Sequence, residues 1–242
     1  MTAHTLDVKP SVLGLEFIEI VAQDMDYIRS YLNQLGFTLT SKHRRKQVYL
    51  FQQGQTKIIV NASDDLTAEA YFNELGISIY AIALRCHQAA DVYHNAIELG
   101  GWDKSNHSGP MEINIPGIEG VGGTSLYFID QPRENLSVYD IDFVELDEPE
   151  ASTSMIERFT AVNFTVEKQR AHALTLWLQR LLGLEENTSS VELLDGFQIR
   201  FTEDADNSER CDYVNVLSVE RSKDSQSQPL PSLVDSAFLI EG

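Results

Sequence analysis

Metal chelation, general acid–base catalysis and nucleophilic attack each need particular side chains brought close together. This 242-residue sequence offers few sets that qualify. Its six histidines are His4, His43, His87, His94, His107 and His172. His87 and His94 are seven apart at the start of an expected helix, so they share a face but stand ~10 Å apart along the axis, too far for one metal ion. His43 falls in a basic turn, His107 in a Ser-Asn-His-Ser-Gly loop, His172 early in another expected helix and His4 ahead of the first element, all of which read as structural or solvated positions. Glu16 and Glu19 lie on an apolar strand, where a carboxylate could hold a metal or move a proton. On a regular strand residues three apart face opposite sides, so at most one of them should look into a cleft. Cys86 and His87 are neighbours on a strand and point apart, which denies them a thiolate–imidazole pair. The glycines from Gly117 to Gly123 join two strands without opening a helix, so they lack the N–H geometry of a phosphate cradle.

Charge narrows the partners. With 37 acidic and 18 basic residues the net charge is −19, a field that repels nucleic acid and anionic lipid. The exception, Lys42-His43-Arg44-Arg45-Lys46, reads as a solvated turn. No apolar run approaches the ~20 residues that span a bilayer, so neither membrane insertion nor secretion is expected and a cytoplasmic location is. Two cysteines, Cys86 and Cys211, suit reduced buried thiols better than a disulfide framework.

The elements that must position any site recur as a repeat: an apolar strand, an amphipathic helix and a Leu-Gly stop. Leu15–Ala22 precedes a helix capped by Asp24 and ended by Gly36; Ile77–Cys86 precedes one ended by Gly100; Arg158–Val166 precedes one ended by Gly183. Short strands follow each helix, giving βαβββ units of an α+β fold. The interval before the third copy is longer, and Asp140 to Glu157, rich in acids and lacking lysine and arginine, reads as a linker. The expected organisation is a tail over 1–12, an N-terminal domain of two units over 13–149, and a shortened C-terminal domain over 150–242.

Three stretches carry a family likeness: GPMEINIPGIEGVGGTSLYFID (109–130), SKHRRKQVYLFQQGQTKIIVNAS (41–63) and SVYDIDFVE (137–145). From about Leu13 to Glu145 they resemble the N-terminal half of 4-hydroxyphenylpyruvate dioxygenases, iron enzymes of the vicinal-oxygen-chelate superfamily. The resemblance implies half-barrel sheets curled around clefts, and an iron held by two histidines and one carboxylate in the C-terminal domain. Matching Asn163 to the asparagine of the family's opening-strand motif puts Phe159 at the first histidine position, with Ala161, Asn163 and Thr165 following along the strand. No histidine follows His172, so the second ligand has no counterpart, and only Glu241 could match the carboxylate.

The leading expectation is therefore a member with no iron cofactor: a binding, accessory or regulatory protein taking a small aromatic or 2-oxo acid ligand near Phe159, Ala161 and Asn163, with Arg200 placed to meet a carboxylate. The alternatives are a dioxygenase using Fe(II) on a 4-hydroxyphenylpyruvate-like acid, and a structural partner in a homodimer or mixed complex.

Overall fold

A computed structural model describes residues 12–105, 112–132, 137–147, 154–186, 190–204 and 212–242. The first unit runs β1 (Val12–Val21), α1 (Met25–Leu35), β2 (Thr38–His43), β3 (Val48–Gln53) and β4 (Thr56–Asn61), then α2 (Leu66–Leu75). The second runs β5 (Ser78–Cys86), α3 (Ala89–Glu98), β6 (Gly117–Glu119), β7 (Ser125–Asp130), α4 (Val138–Asp142) and β8 (Phe143–Glu145). The third comprises β9 (Ile156–Val166), α5 (Ala171–Leu181), β10 (Val191–Glu192) and β11 (Gln198–Glu203), followed by β12 (Tyr213–Arg221) and β13 (Leu239–Glu241).

The stops and caps act as their chemistry dictates. Asp24 accepts from the Tyr27 N–H, and Gly36, Gly100 and Gly183 all adopt positive φ, where glycine escapes the Cβ clash. Helix α1 then buries Ile28, Tyr31, Leu32 and Leu35 along one stripe.

The strands form an eight-stranded sheet ordered β6-β7-β5-β1-β4-β3-β2-β8 and a five-stranded sheet ordered β10-β11-β9-β12-β13. This is an α+β fold of curled sheets not closed into barrels. The central strands repeat one topology. In the first sheet β4 and β1 are parallel, β1 and β5 antiparallel, β5 and β7 parallel. In the second, β11-β9-β12-β13 follows the same sequence of directions. Thus β12 and β13 stand where a fourth unit would begin, without a described α-helix between them.

One face of each sheet, with α1, α3 and α5, shares a single apolar core, in which Phe37 stacks on Phe159 at 6.1 Å. The other face of the first sheet forms a smaller cluster including Phe17, Tyr80 and Tyr127.

Two elements depart from expectation. Helix α2 has no counterpart in the expected repeat: Asp65 caps it through the Thr67 and Ala68 N–H groups, but it buries only Ala68 and Tyr71, so it carries little helical periodicity. The run Ser137–Glu145, strand-like in sequence and overlapping the start of the expected Asp140–Glu157 linker, opens instead with α4, because Ser137 and Asp140 form a capping box. Asp142 is then buried against the Ile113 N–H, only Phe143–Glu145 is strand, and Glu157 belongs to β9. The expected tail up to Ser11, the boundary at Glu150, and His4, His107 and Cys211 lie outside the described residues.

The sheets are clasped at Asp195. Its carboxylate accepts from the Leu15 N–H and the Phe197 N–H at 2.9 Å each, and its own N–H donates to the Leu13 carbonyl. Gly14 makes room, since a Cβ there would stand 1.9 Å from Asp195 Oδ2. Asp195→Ala should cost about 1–3 kcal/mol by leaving N–H groups unpaired. Gly14→Ala should cost a similar amount, and urea unfolding of the double variant should show less than the sum, because both changes break one contact.

Candidate functional site

The concave face of the first sheet holds a cleft of about 880 Å³, and two interruptions of strand alternation fill it with polar groups. On β1, Leu15 pairs with Leu84 but Phe17 with Ala83, so Glu16 is an extra residue in a bulge. On β5, Ile79 pairs with Ile20 but Ala81 with Glu19, which makes Tyr80 the second bulged residue. A bulge re-aims the side chains beside it. Consequently Glu16 and Glu19 face the same side, against the alternation of a regular strand. Their partners establish this: Lys57 binds Glu16 and Asn61 binds Glu19, and those two residues are four apart on β4 with Ile59 between them.

The two carboxyl groups have opposite surroundings. Glu16 receives Lys57 at 2.7 Å, Arg85 at 3.4 Å and the Tyr139 hydroxyl at 3.0 Å. Burial, with the Glu16 charge next to it, holds the Tyr139 phenol well above its usual range. Glu19 is also buried, yet it accepts only from Asn61 Nδ2 at 2.8 Å and makes no ion pair among the described residues. Loss of hydration therefore pushes its acid up to about 7, partly offset by Asn61 and Lys46.

His43 lies at the other end of the cleft, buried edge-on to Phe143 at 5.4 Å. Its Nδ1 accepts from the Arg45 and Lys46 N–H groups, which assigns the ring proton to Nε2, and burial followed by the Lys46 charge lowers its pKa. The basic turn is thus partly structural: Arg44 donates from its backbone to the Asp142 carbonyl and from Nε to the Ile141 carbonyl, closing the end of α4. Lys104 lies over the Tyr80 ring at 5.7 Å and donates to the Gly123 carbonyl, and burial lowers its pKa. A separate hollow of about 660 Å³ beside the start of α3 includes Tyr93 and Asp130 but lacks a buried acid of this kind.

The residues expected to bind ligand in the second sheet do not share one face. Between the pairs Phe159–Val219 and Ala161–Ser218 the β9 strand carries one extra residue, Thr160. Phe159 consequently joins Val162 and Phe164 in the core. Ala161 is buried, and Asn163 bonds Asn215 and Thr202 at 2.8 Å each. Arg200 pairs with Asn163 across the ladder, but its guanidinium is held by Gln198 at 2.7 and 2.9 Å.

The family likeness implies an iron, and its fit can be tested on the strand register. Ala161, Ser218 and Glu241 are aligned across β9, β12 and β13. That row supplies one carboxylate and no imidazole. Among the described residues no three His, Cys, Asp or Glu side chains are grouped to hold a metal. These positions do not fit a two-histidine, one-carboxylate centre.

A family model described as the N-terminal domain of hydroxyphenylpyruvate dioxygenase matches residues 9–144, the extent of the first sheet. The chain belongs to this hydroxyphenylpyruvate dioxygenase family. Within it, a 4-hydroxyphenylpyruvate dioxygenase of Pseudomonas sp. (strain P.J. 874) is 38% identical over 136 residues, covering 56% of this chain and 38% of that protein. Hemolysin VllY of Vibrio vulnificus (strain CMCP6) is 35% identical over 133 residues, 54% of this chain and 37% of its own. The chain therefore spans well under half the length of these relatives. A solved xylose isomerase-like TIM barrel/4-hydroxyphenylpyruvate dioxygenase fusion protein superposes with a TM-score of 0.75 at 20% identity, over 88% of this chain and 38% of that one. The shared hydroxyphenylpyruvate dioxygenase fold thus extends into the second sheet, beyond the matched sequence.

Because Glu19 keeps its proton longer folded than unfolded, the native state should lose stability as pH rises from about 4.5 to about 7 and level off above. The full loss attributable to Glu19 is roughly 3 kcal/mol. Glu19→Gln should flatten that slope in urea unfolding at a series of pH values, and above neutrality should exceed the wild type in stability.

Proposed function

We propose that this chain is a small-ligand-binding member of the hydroxyphenylpyruvate dioxygenase family that performs no iron-dependent oxygenation in its second sheet, its ligand lying in the first-sheet cleft. The observation that carries this reading is a contrast. The row Ala161, Ser218 and Glu241 in the second sheet offers a metal one carboxylate, whereas the first sheet holds an open cleft around the buried acid Glu19. Binding clefts of this size are apolar with a few placed polar groups. Here the walls include Phe17, Tyr80, Tyr127 and Tyr139, and the polar groups include Glu19, Asn61 and the Nε2–H of His43 alongside charged side chains such as Lys46, Lys104, Asp64 and Asp65.

One observation favours a second reading. The 38% identity to a Pseudomonas sp. 4-hydroxyphenylpyruvate dioxygenase supports an iron dioxygenase acting on a similar 2-oxo acid, with ligands contributed from outside the described residues. Metal analysis separates the two. After anaerobic loading with ferrous iron and desalting, the chain should retain only background iron and show no oxygen uptake with 4-hydroxyphenylpyruvate. Near-stoichiometric iron accompanied by oxygen uptake would replace the first reading with the second.

A further inference from the structure

Two polar groups in the first-sheet cleft are left incomplete by the protein. Ser125 Oγ is buried on β7, on the same face as Tyr127, and makes no hydrogen bond of sound geometry among the described residues, although the Tyr80 and Tyr127 hydroxyls are near. Buried hydroxyls in folded proteins are normally well partnered, and one in a cleft wall with only those two phenols beside it has capacity for a further partner. Glu19 has the second vacancy: its neighbour Glu16 meets two cations and a phenol, while Glu19 meets one amide.

The register places these groups together. Glu19 pairs with Ala81, and Ala81 with Ser125, so carboxyl and hydroxyl stand in one row on either side of an alanine. Two strand spacings separate their backbones by ~10 Å, and both side chains line the same cleft on either side of the methyl group. The next row repeats the arrangement with Phe17, Ala83 and Tyr127, adding an aromatic wall on each side of a second alanine.

Charge selects the occupant. The cleft lining carries more carboxylates than cations. Two of its cations are already engaged, Lys46 with Glu112 and Lys104 with the Gly123 carbonyl. The chain as a whole bears −19, which concentrates cations at its surface. An anionic ligand would have to bury its charge beside Glu19. An ammonium would gain a charge-assisted hydrogen bond there, a second acceptor in Ser125 Oγ, and attraction to the flanking ring faces.

Resting on the small-ligand reading, we propose that this cleft binds a primary arylalkylamine, its ammonium between Glu19 and Ser125 and its ring beside Phe17 and Tyr127. Calorimetric titration of the full chain with phenethylamine, 2-phenylethanol and 3-phenylpropionate tests it, since the three share a ring and differ in charge. The amine should bind at least about tenfold more tightly than the alcohol, and the acid weakest of all. Glu19→Gln should abolish the preference for amine over alcohol, and Ser125→Ala should weaken the amine severalfold, while Glu220→Gln on the second sheet leaves binding unchanged.

If Glu19→Gln fails to fold, the ligand series on the wild type and the Ser125→Ala titration still decide. An acid that binds as tightly as the amine, or amine binding insensitive to both cleft substitutions, overturns the proposal. Iron retention with oxygen uptake would overturn the metal-free reading whatever the amine does. Background iron with no response to any of the three ligands would overturn the amine assignment alone.

Discussion

A strand with a two-residue period divides its side chains strictly between two faces, and the central pair of the first sheet breaks that division three times, twice beside the cleft. The bulges at Glu16 and Tyr80 each turn one more large polar side chain toward the concave side. Much of the cleft follows from this. Glu16, brought round beside Lys57 and Arg85, becomes the centre of a charge cluster that also holds Tyr139, and so ties α4 across three strands. With Lys57 and Arg85 gathered there, Glu19 has the Asn61 amide as its hydrogen-bond partner and no ion pair among the described residues. Two glutamates three residues apart on one strand thereby acquire different chemistry from their neighbours alone.

The repeat itself was plain in the sequence because it is written in side chains that act locally. Asp24 caps its own helix, Gly36, Gly100 and Gly183 adopt the backbone conformation that ends theirs, and the stripes of α1, α3 and α5 follow the 3.6-residue period of buried helices. What stayed hidden depends on partners distant in the chain. Helix α2 buries two residues and so has almost no stripe. Bulges at Glu16, Tyr80 and Thr160 are decided by strand pairing, and a rule that counts every second residue misassigns the face of whatever lies beyond them. That is why Glu16 and Glu19 appeared to diverge and Phe159 appeared to join Asn163. The surroundings of Ser125 have no local signature at all, since the Tyr80 and Tyr127 hydroxyls beside it come from β5 and from the pairing of the sheet.

The second sheet repeats the topology of the first with different side chains. Four of its five strands, β11-β9-β12-β13, reproduce the directions of β4-β1-β5-β7 in the first sheet, and its overlap with the solved fusion protein reaches past the region of sequence match. One row across β9, β12 and β13 carries a methyl group, a hydroxyl and one carboxylate, where rows of the first sheet carry other side chains. Backbone pairing tolerates that difference readily, because ladder hydrogen bonds do not depend on the side chain projecting above them.

The Asp195 clasp bears on where this molecule can be divided. The region matched by the family model ends before the second sheet begins, which invites treating residues 9–144 as a module to be expressed or transplanted on its own. Such a fragment would carry an opening strand whose Leu15 N–H and Leu13 carbonyl have lost their partners, and a Phe37 ring deprived of the Phe159 face it stacks on. The unit of sequence kinship and the unit of folding do not coincide: the cleft-bearing sheet inherits its family likeness alone but is held in shape by the less recognisable half.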